Sequence, residues 1–292
     1  MQEFHYRLRT RTGGQRPGAH PGASLGAGLQ FAAHARLLDH PDPRRLDLRA
    51  SLRDGSQHWL VRVHQQRVAV PVHAVVDVSA SMHFGATQRK LDVAADFVEA
   101  LGHSAFRAGD AVGLLAFDRT ARDDLQLPAR HARGMAGLMS ESLRTCRPSD
   151  ASDKAAASKA GDGAAWLKHA VQELAGKSAL VFLVSDFHWP LQALGEVLDT
   201  LARARVVPLV IWDPAEIEAP RVGRLLSARD AESGAGQTLW LRETLRTQWR
   251  AAVTQRRAEI KALFGARGML PFWIEAAFDA EALSRHFLDA VA

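Results

Sequence analysis

Val72-His73-Ala74-Val75-Val76-Asp77-Val78-Ser79-Ala80-Ser81-Met82 is the stretch on which the reading of this chain turns. Its apolar run is short, β-branched and nearly free of charge, as expected of a central strand covered on both faces. Asp77, Ser79 and Ser81 then arrive at alternate positions where the strand should end. In an extended chain alternate residues point the same way. Three hard oxygen donors on one side of a strand's carboxyl end can hold a small hard cation such as Mg²⁺. The competing structural reading is that the two hydroxyls only cap the following turn.

Working outward, strand and helix signals alternate. A helix fits Arg89 to Phe106, with Leu91, Ala94, Val98, Leu101 and Ala105 at helical spacing. Ala111 to Phe117 reads as a second strand and Arg130 to Thr145 as a helix, with a short edge strand near Leu125 and Leu127 between them. Arg147 to Gly163 is rich in Ser, Asp, Ala and Gly and reads as a loop. Ala164 to Leu174 resumes helical spacing, and Gly176 closes it as a C-cap. Ser178 to Val184 is the third strong strand and runs into Ser185-Asp186-Phe187. A helix over 191–204 and a strand over 206–212 complete the series. This order predicts an α/β fold, a doubly wound and mainly parallel sheet with flanking elements at both ends. Ligands of such sheets sit beyond the carboxyl ends of the strands, where Asp77, Ser79, Ser81 and Asp186 all fall.

The flanks are less regular. Residues 1–30 carry many Gly, Arg and Pro and read as an irregular N-terminal arm. Residues 31–70 form an N-terminal flanking segment: a turn at 39–43, alternating Leu and charge over 46–53, and a strand over 59–68. The core domain spans 71–214. Residues 215–292 are expected to pack on it as a strand and helix extension, with a loop over 221–236, a short strand over 238–241, a long helix over 242–264, a strand over 270–274 and a last helix over 280–291. Arg246, Arg250, Arg256, Arg257 and Lys261 lie mostly off the apolar stripe of the long helix and read as a solvated face, with contact to an acidic partner or phosphate as the alternative.

With 292 residues, 47% apolar and 24% charged, the chain has the composition of an ordinary globular protein. No apolar run approaches the roughly 18 residues of a membrane span, and the basic start lacks the apolar centre of a secretory signal. The single Cys146 cannot form an internal disulfide and fits a reducing cytoplasm; Arg144 and Arg147 beside it could lower its pKa. The net charge of +5 allows an acidic partner, but no aromatic-basic interleaving supports nucleic-acid binding. Walker A, Gly-x-Gly-x-x-Gly and Gly-x-Ser-x-Gly patterns are all absent from the sequence, so neither nucleotide binding nor a serine nucleophile is expected. His83 reads as a loop residue; His188, near Asp186, has the rim within reach but reads as a solvent residue.

The Asp77-x-Ser79-x-Ser81 spacing resembles the metal-ion-dependent adhesion site of von Willebrand factor type A domains. The wider chain resembles the DUF58 family, bacterial proteins with a von Willebrand A-like domain usually associated with MoxR-type AAA+ ATPases. The resemblance rests on Pro43-Arg44-Arg45-Leu46-Asp47-Leu48-Arg49, on Asp77 to Met82, and on Gly109-Asp110-Ala111-Val112-Gly113-Leu114. It continues through Ser185-Asp186-Phe187, Asp213-Pro214-Ala215-Glu216 and Asp230-Ala231-Glu232-Ser233-Gly234. Leu48 stands where the family often has Trp. Adhesion-type sites also take a Thr ligand from a second loop; here that loop reads Ala160-Gly161-Asp162-Gly163, and Asp162 is the oxygen offered in its place. The resemblance implies Mg²⁺, or Mn²⁺, held by Asp77, Ser79, Ser81, Asp186 and Asp162, and a non-enzymatic module that docks a carboxylate of a MoxR-type ATPase or its client. The alternative is a metal-dependent, phosphatase-like hydrolase; that class usually places a second Asp two residues after the first, where this chain has Ser79.

Overall fold

The computed structural model describes residues 2–6, 8, 16–26, 28, 30–118, 122–148, 163–219, 222–223, 225–229 and 236–289. They form two compact units, one of residues 7–70 with 108–110 and one of residues 1–6, 71–107 and 111–292.

The smaller unit is a three-stranded antiparallel sheet. Strand β1 (Pro17–Gly26) and strand β2 (Gln30–Arg36) flank β3 (Leu60–Val68), and helix α1 (Leu48–Arg53) precedes β3 in the chain. The turn-like composition of residues 1–30 is thus misleading over 17–26, which is strand. Proline is tolerated there because β1 is an edge strand. The glycines serve close approach instead of turning: a Cβ at Gly18 would meet Ala69 N at 2.3 Å, and one at Gly22 would meet Gln66 O at 2.7 Å. Buried His20 fixes the strand through Asp110, Nε2 to Oδ2 at 2.7 Å. The alternating Leu and charge of 46–53 also resolves differently, as a helix. Asp47 caps it, Oδ1 accepting from Ala50 N at 3.1 Å.

The larger unit is α/β around a six-stranded sheet. Its strands are β4 (Pro71–Asp77), β5 (Ala111–Phe117), β6 (Leu127–Arg130), β7 (Leu180–Ser185), β8 (Arg205–Ile211) and a last strand at Phe272–Ile274. Every pairing is parallel except that of β5 with β6. Helices α2 (Lys90–Ala108), α3 (Met135–Arg144), α4 (Gly163–Val171), α5 (Leu194–Thr200) and α6 (Pro214–Ile217) alternate with them. Beyond α6 come β9 (Leu225–Arg229), β10 (Gly236–Trp240), α7 (Glu243–Gly265), β11 (Phe272–Ile274) and α8 (Ala280–Asp289). Two details differ from expectation. Helix α3 starts at Met135 because residues up to Arg130 pair with β5. Residues 225–229, read as loop, pair antiparallel with β10, and Leu225 and Trp240 of this ribbon are exposed.

Both sheet faces are covered. On one, Val75, Leu115, Val181 and Leu183 pack with Leu167 of α4, Leu194 and Val197 of α5, and Ile260 and Phe264 of α7. On the other, Phe182 meets Phe97 of α2 at 5.3 Å between ring centroids. Phe4, Phe278 and Phe287 close this aromatic cluster, with Phe4 6.0 Å from Phe182 and 6.5 Å from Phe287. Among the described residues no helix is long and apolar enough to cross a membrane.

Candidate functional site

Parallel strands end on a common rim, and β4 and β7 are neighbours in the sheet. Asp77 ends β4 and Ser185 ends β7, with Asp186 next in the chain. Both carboxylates are buried. Asp77 Oδ1 accepts from Ser79 N at 2.9 Å; Oδ2 accepts from Ser185 Oγ at 2.6 Å and from Trp189 Nε1 at 3.1 Å. The Ser79 and Ser81 hydroxyls lie 3.2 Å apart and half-buried, and Ser81 hydrogen bonds to Asp186. Asp77, Ser79, Ser81 and Asp186 therefore lie together on the rim, the two aspartates buried and the two serines half-buried. Ser79 heads the 3-10 turn Ala80–His83 without a side-chain cap bond, so its hydroxyl is not consumed by capping. Asp162 lies outside the described residues, as does the segment Asp230 to Gly234.

The other half of the rim holds a residue that the motif reading does not single out. Lys90, the first residue of α2, is 1% exposed. Its ammonium reaches Asp186 Oδ2 at 2.6 Å and Glu216 Oε1 at 2.7 Å. Glu216 belongs to a capping box at the start of α6: Asp213 N donates to Glu216 Oε2 at 2.9 Å, while Asp213 Oδ1 accepts from Ala215 N at 2.8 Å. His188 is exposed, in keeping with its reading as a solvent residue, yet it also reaches the rim. Its ring stacks on Trp212 at 5.5 Å, with Nε2 3.5 Å from Glu216 Oε1. Asp186, His188 and Glu216 could themselves converge on a metal ion, their ligand atoms lying within 4.8 Å of one another. The Lys90 ammonium already bridges the two carboxylates of that trio.

Helix α7 holds the rim loop. Arg256 Nη2 donates to Phe187 O at 2.7 Å and also to Trp189 O, and Trp249 Nε1 donates to Glu216 O at 2.8 Å. The solvated-face reading fails for Arg256 and for Arg257, whose guanidinium sits over Trp212 and Trp273 at 5.3 and 5.2 Å. Phe187 adopts φ +52, a left-handed backbone that costs a non-glycine residue energy. It is held there by complete burial of its ring and by its amide donating to Ser185 Oγ at 2.9 Å.

The electrostatics of the two halves differ. Burial, then the neighbouring Asp186 charge, pushes Asp77 up to about 6. Burial also acts to raise Asp186, but the Lys90 ammonium and His188 overcome it and hold that carboxyl below its usual range. Lys90 is held above its ordinary value: burial lowers it, and Asp186 and Glu216 outweigh burial. The Lys90 ammonium contacts Asp186 and Glu216, while Asp77 accepts hydrogen bonds from neutral groups. Two buried acids and two hydroxyls, all hard oxygens with too little positive charge among them, fit a small divalent cation such as Mg²⁺. Cys146 does not follow its expected direction. Burial pushes its thiol up, against the lowering effect of Arg122, whose Nη2 lies 3.4 Å from Sγ.

Residues 40–259 match the family model described as protein of unknown function DUF58. Over 261 residues the chain is 26% identical to an uncharacterized protein of Mycobacterium tuberculosis, a span of 89% of this chain and 78% of that one. An uncharacterized protein of Mycobacterium bovis matches with the same figures. Among solved structures, the conserved hypothetical protein BatB from Bacteroides thetaiotaomicron aligns with a TM-score of 0.45 and 18% identity, covering 76% of this chain and 99% of that one.

Proposed function

The chain belongs to the DUF58 family, and we propose that it is a docking module without catalytic turnover. In this reading the larger unit is a von Willebrand A-like domain. Ser79 and Ser81 would hold Mg²⁺ or Mn²⁺ directly, with Asp77 and Asp186 acting directly or through water, and the group would supply a Lewis-acid position for a carboxylate of a partner protein. The supporting observation is that Asp77, Ser79, Ser81 and Asp186 are linked on one rim, the aspartates buried and the serines half-buried. A cation bound largely by neutral hydroxyls and water keeps the electrophilicity needed to take one more anionic ligand. Asp77 is a poor nucleophile candidate, because both of its oxygens accept hydrogen bonds from Ser79 N, Ser185 and Trp189. The partner implied by the resemblance is a MoxR-type AAA+ ATPase or its client, in assembly or maturation of that client.

Titration calorimetry with Mg²⁺ and with Mn²⁺ tests this reading. The wild-type chain should bind one equivalent, and Ser79→Ala/Ser81→Ala should weaken binding by at least about tenfold, or 1.4 kcal/mol. Absence of saturable binding to the wild-type chain would overturn it.

A further inference from the structure

The charge of the chain is unevenly placed. Residues 7–70 and 108–110 contain eleven arginines, no lysine and no glutamate, against five aspartates. The smaller unit thus has an excess of six positive charges, more than the +5 of the whole chain.

Helix α1 of this unit is turned inside out. It buries Ser51 at 7% exposure and leaves Leu48 and Leu52 at 56% and 83%. Ser51 faces inward because its hydroxyl accepts from Leu60 N at 2.9 Å and donates to Asp47 O at 2.7 Å. Leu48 and Leu52, four residues apart, share one outward stripe; Arg49 and Arg53 form the stripe beside it. Both arginines are exposed, and among the described residues neither has a carboxylate in ion-pair reach. Leu38 and Trp59 lie at the same end of the sheet. Leu37 N donates to Trp59 O at 2.8 Å, next to the Arg36–Leu60 pair that ends the β2–β3 ladder, and Leu60 is also where α1 is anchored. Leu38 is 90% exposed and Trp59 56%. Single exposed leucines are common; four large exposed apolar side chains on neighbouring segments at one end of a small sheet are less so.

We propose that Leu38, Leu48, Leu52 and Trp59, flanked by Arg49 and Arg53, form a docking surface for an acidic amphipathic segment of a partner protein. The leucines supply apolar anchors, and the arginines steer and orient the acid-bearing face. A second copy of the chain is disfavoured by the like charge of its own smaller unit. Single-stranded nucleic acid wants aromatic platforms, and the patch has Trp59 alone. An anionic bilayer is disfavoured because a helix of six residues is too short to lie along an interface.

The test uses the full chain and a labelled synthetic helical peptide of leucine and glutamate, with its leucine–lysine counterpart, oligothymidylate and phosphatidylserine vesicles as comparisons. Fluorescence anisotropy should show salt-sensitive binding of the glutamate peptide and none of the lysine peptide. Leu48→Ser/Leu52→Ser and Arg49→Glu/Arg53→Glu should each weaken it by about tenfold or more, with circular dichroism unchanged because all four side chains are exposed. The proposal fails if the glutamate peptide does not bind or if both double variants bind it as the wild type does. It also fails if these variants instead abolish tighter binding to oligothymidylate or vesicles, or if sedimentation shows a dimer that Leu48→Ser/Leu52→Ser dissociates.

Discussion

Asp77 and Asp186 end adjacent strands of one sheet, both are buried, and their acidities move in opposite directions. Burial acts on both in the same sense. The difference is the company each keeps: Asp186 touches the Lys90 ammonium, whereas Asp77 accepts only neutral donors from Ser79 N, Ser185 and Trp189. Hydrogen bonds from neutral groups soften the desolvation of a carboxylate, and a contacting cation reverses it. The rim is therefore half neutralised by a side chain, while its other carboxylate is met by neutral donors.

The sharpest way to break this contrast is Lys90→Met. Removing the cation strands two carboxylates, Asp186 fully buried and Glu216 partly so. We expect a loss of about 3–5 kcal/mol in urea denaturation. Retention of wild-type stability would mean that Lys90 is not what neutralises Asp186. Next in size is a pH effect that belongs to Asp77. Its folded pKa, about 6, lies above the 3.8 of an unperturbed aspartate, so between those values the folded state holds more protons than the unfolded one. Asp77 therefore favours folding at the acid end, and its contribution falls by a few kcal/mol as pH rises from about 4 to about 6. Denaturation measured across that window should show the slope in the wild type, and Asp77→Asn should flatten it. Asp186 behaves oppositely, losing stability only as pH drops through its own lowered pKa. Mg²⁺ at saturating concentration should oppose the Asp77 slope by stabilising the ionised form.

Arg256→Ala probes the scaffold that both halves share. It removes donors to the carbonyls of Phe187 and Trp189 and should cost about 1–3 kcal/mol, read from thermal or urea unfolding. Hydrogen exchange should also rise at residues 186–189. The smallest effect is expected from His188→Gln, which loses a 3.5 Å contact to Glu216 at an exposed site. Less than about 1 kcal/mol should follow; a larger loss would show that His188, not Lys90 alone, holds the acidic trio together.

The central strands are legible because burial on both faces selects unbroken β-branched runs, as in Val72 to Val76 and Leu180 to Val184. Asp77, Ser79 and Ser81 are legible through their period of two, and Asp186 through its place at a strand end. Lys90 is harder. A charged residue opening a helix reads as surface, although it stands four residues before Ala94, in the apolar phase of the α2 stripe. That misplaced charge was the available signal. Arg256 carried no comparable mark, since its partners are backbone carbonyls of a distant loop. Strand β1 was hidden by glycine and proline, which signal turns in most contexts and here serve an edge strand packed tightly on its neighbour.

The aromatic cluster that joins Phe4 to Phe287 has a consequence for how the molecule is made. Contacts between residues so far apart in the chain close very large loops, which slows the search for the native topology. On the ribosome, β4 and β5 can pair early, but the face bearing Phe97 and Phe182 keeps two of its aromatic neighbours in waiting until α8 has emerged. Nascent chains shorter than about residue 287 should expose that face, which adds to the risk of aggregation before synthesis is complete.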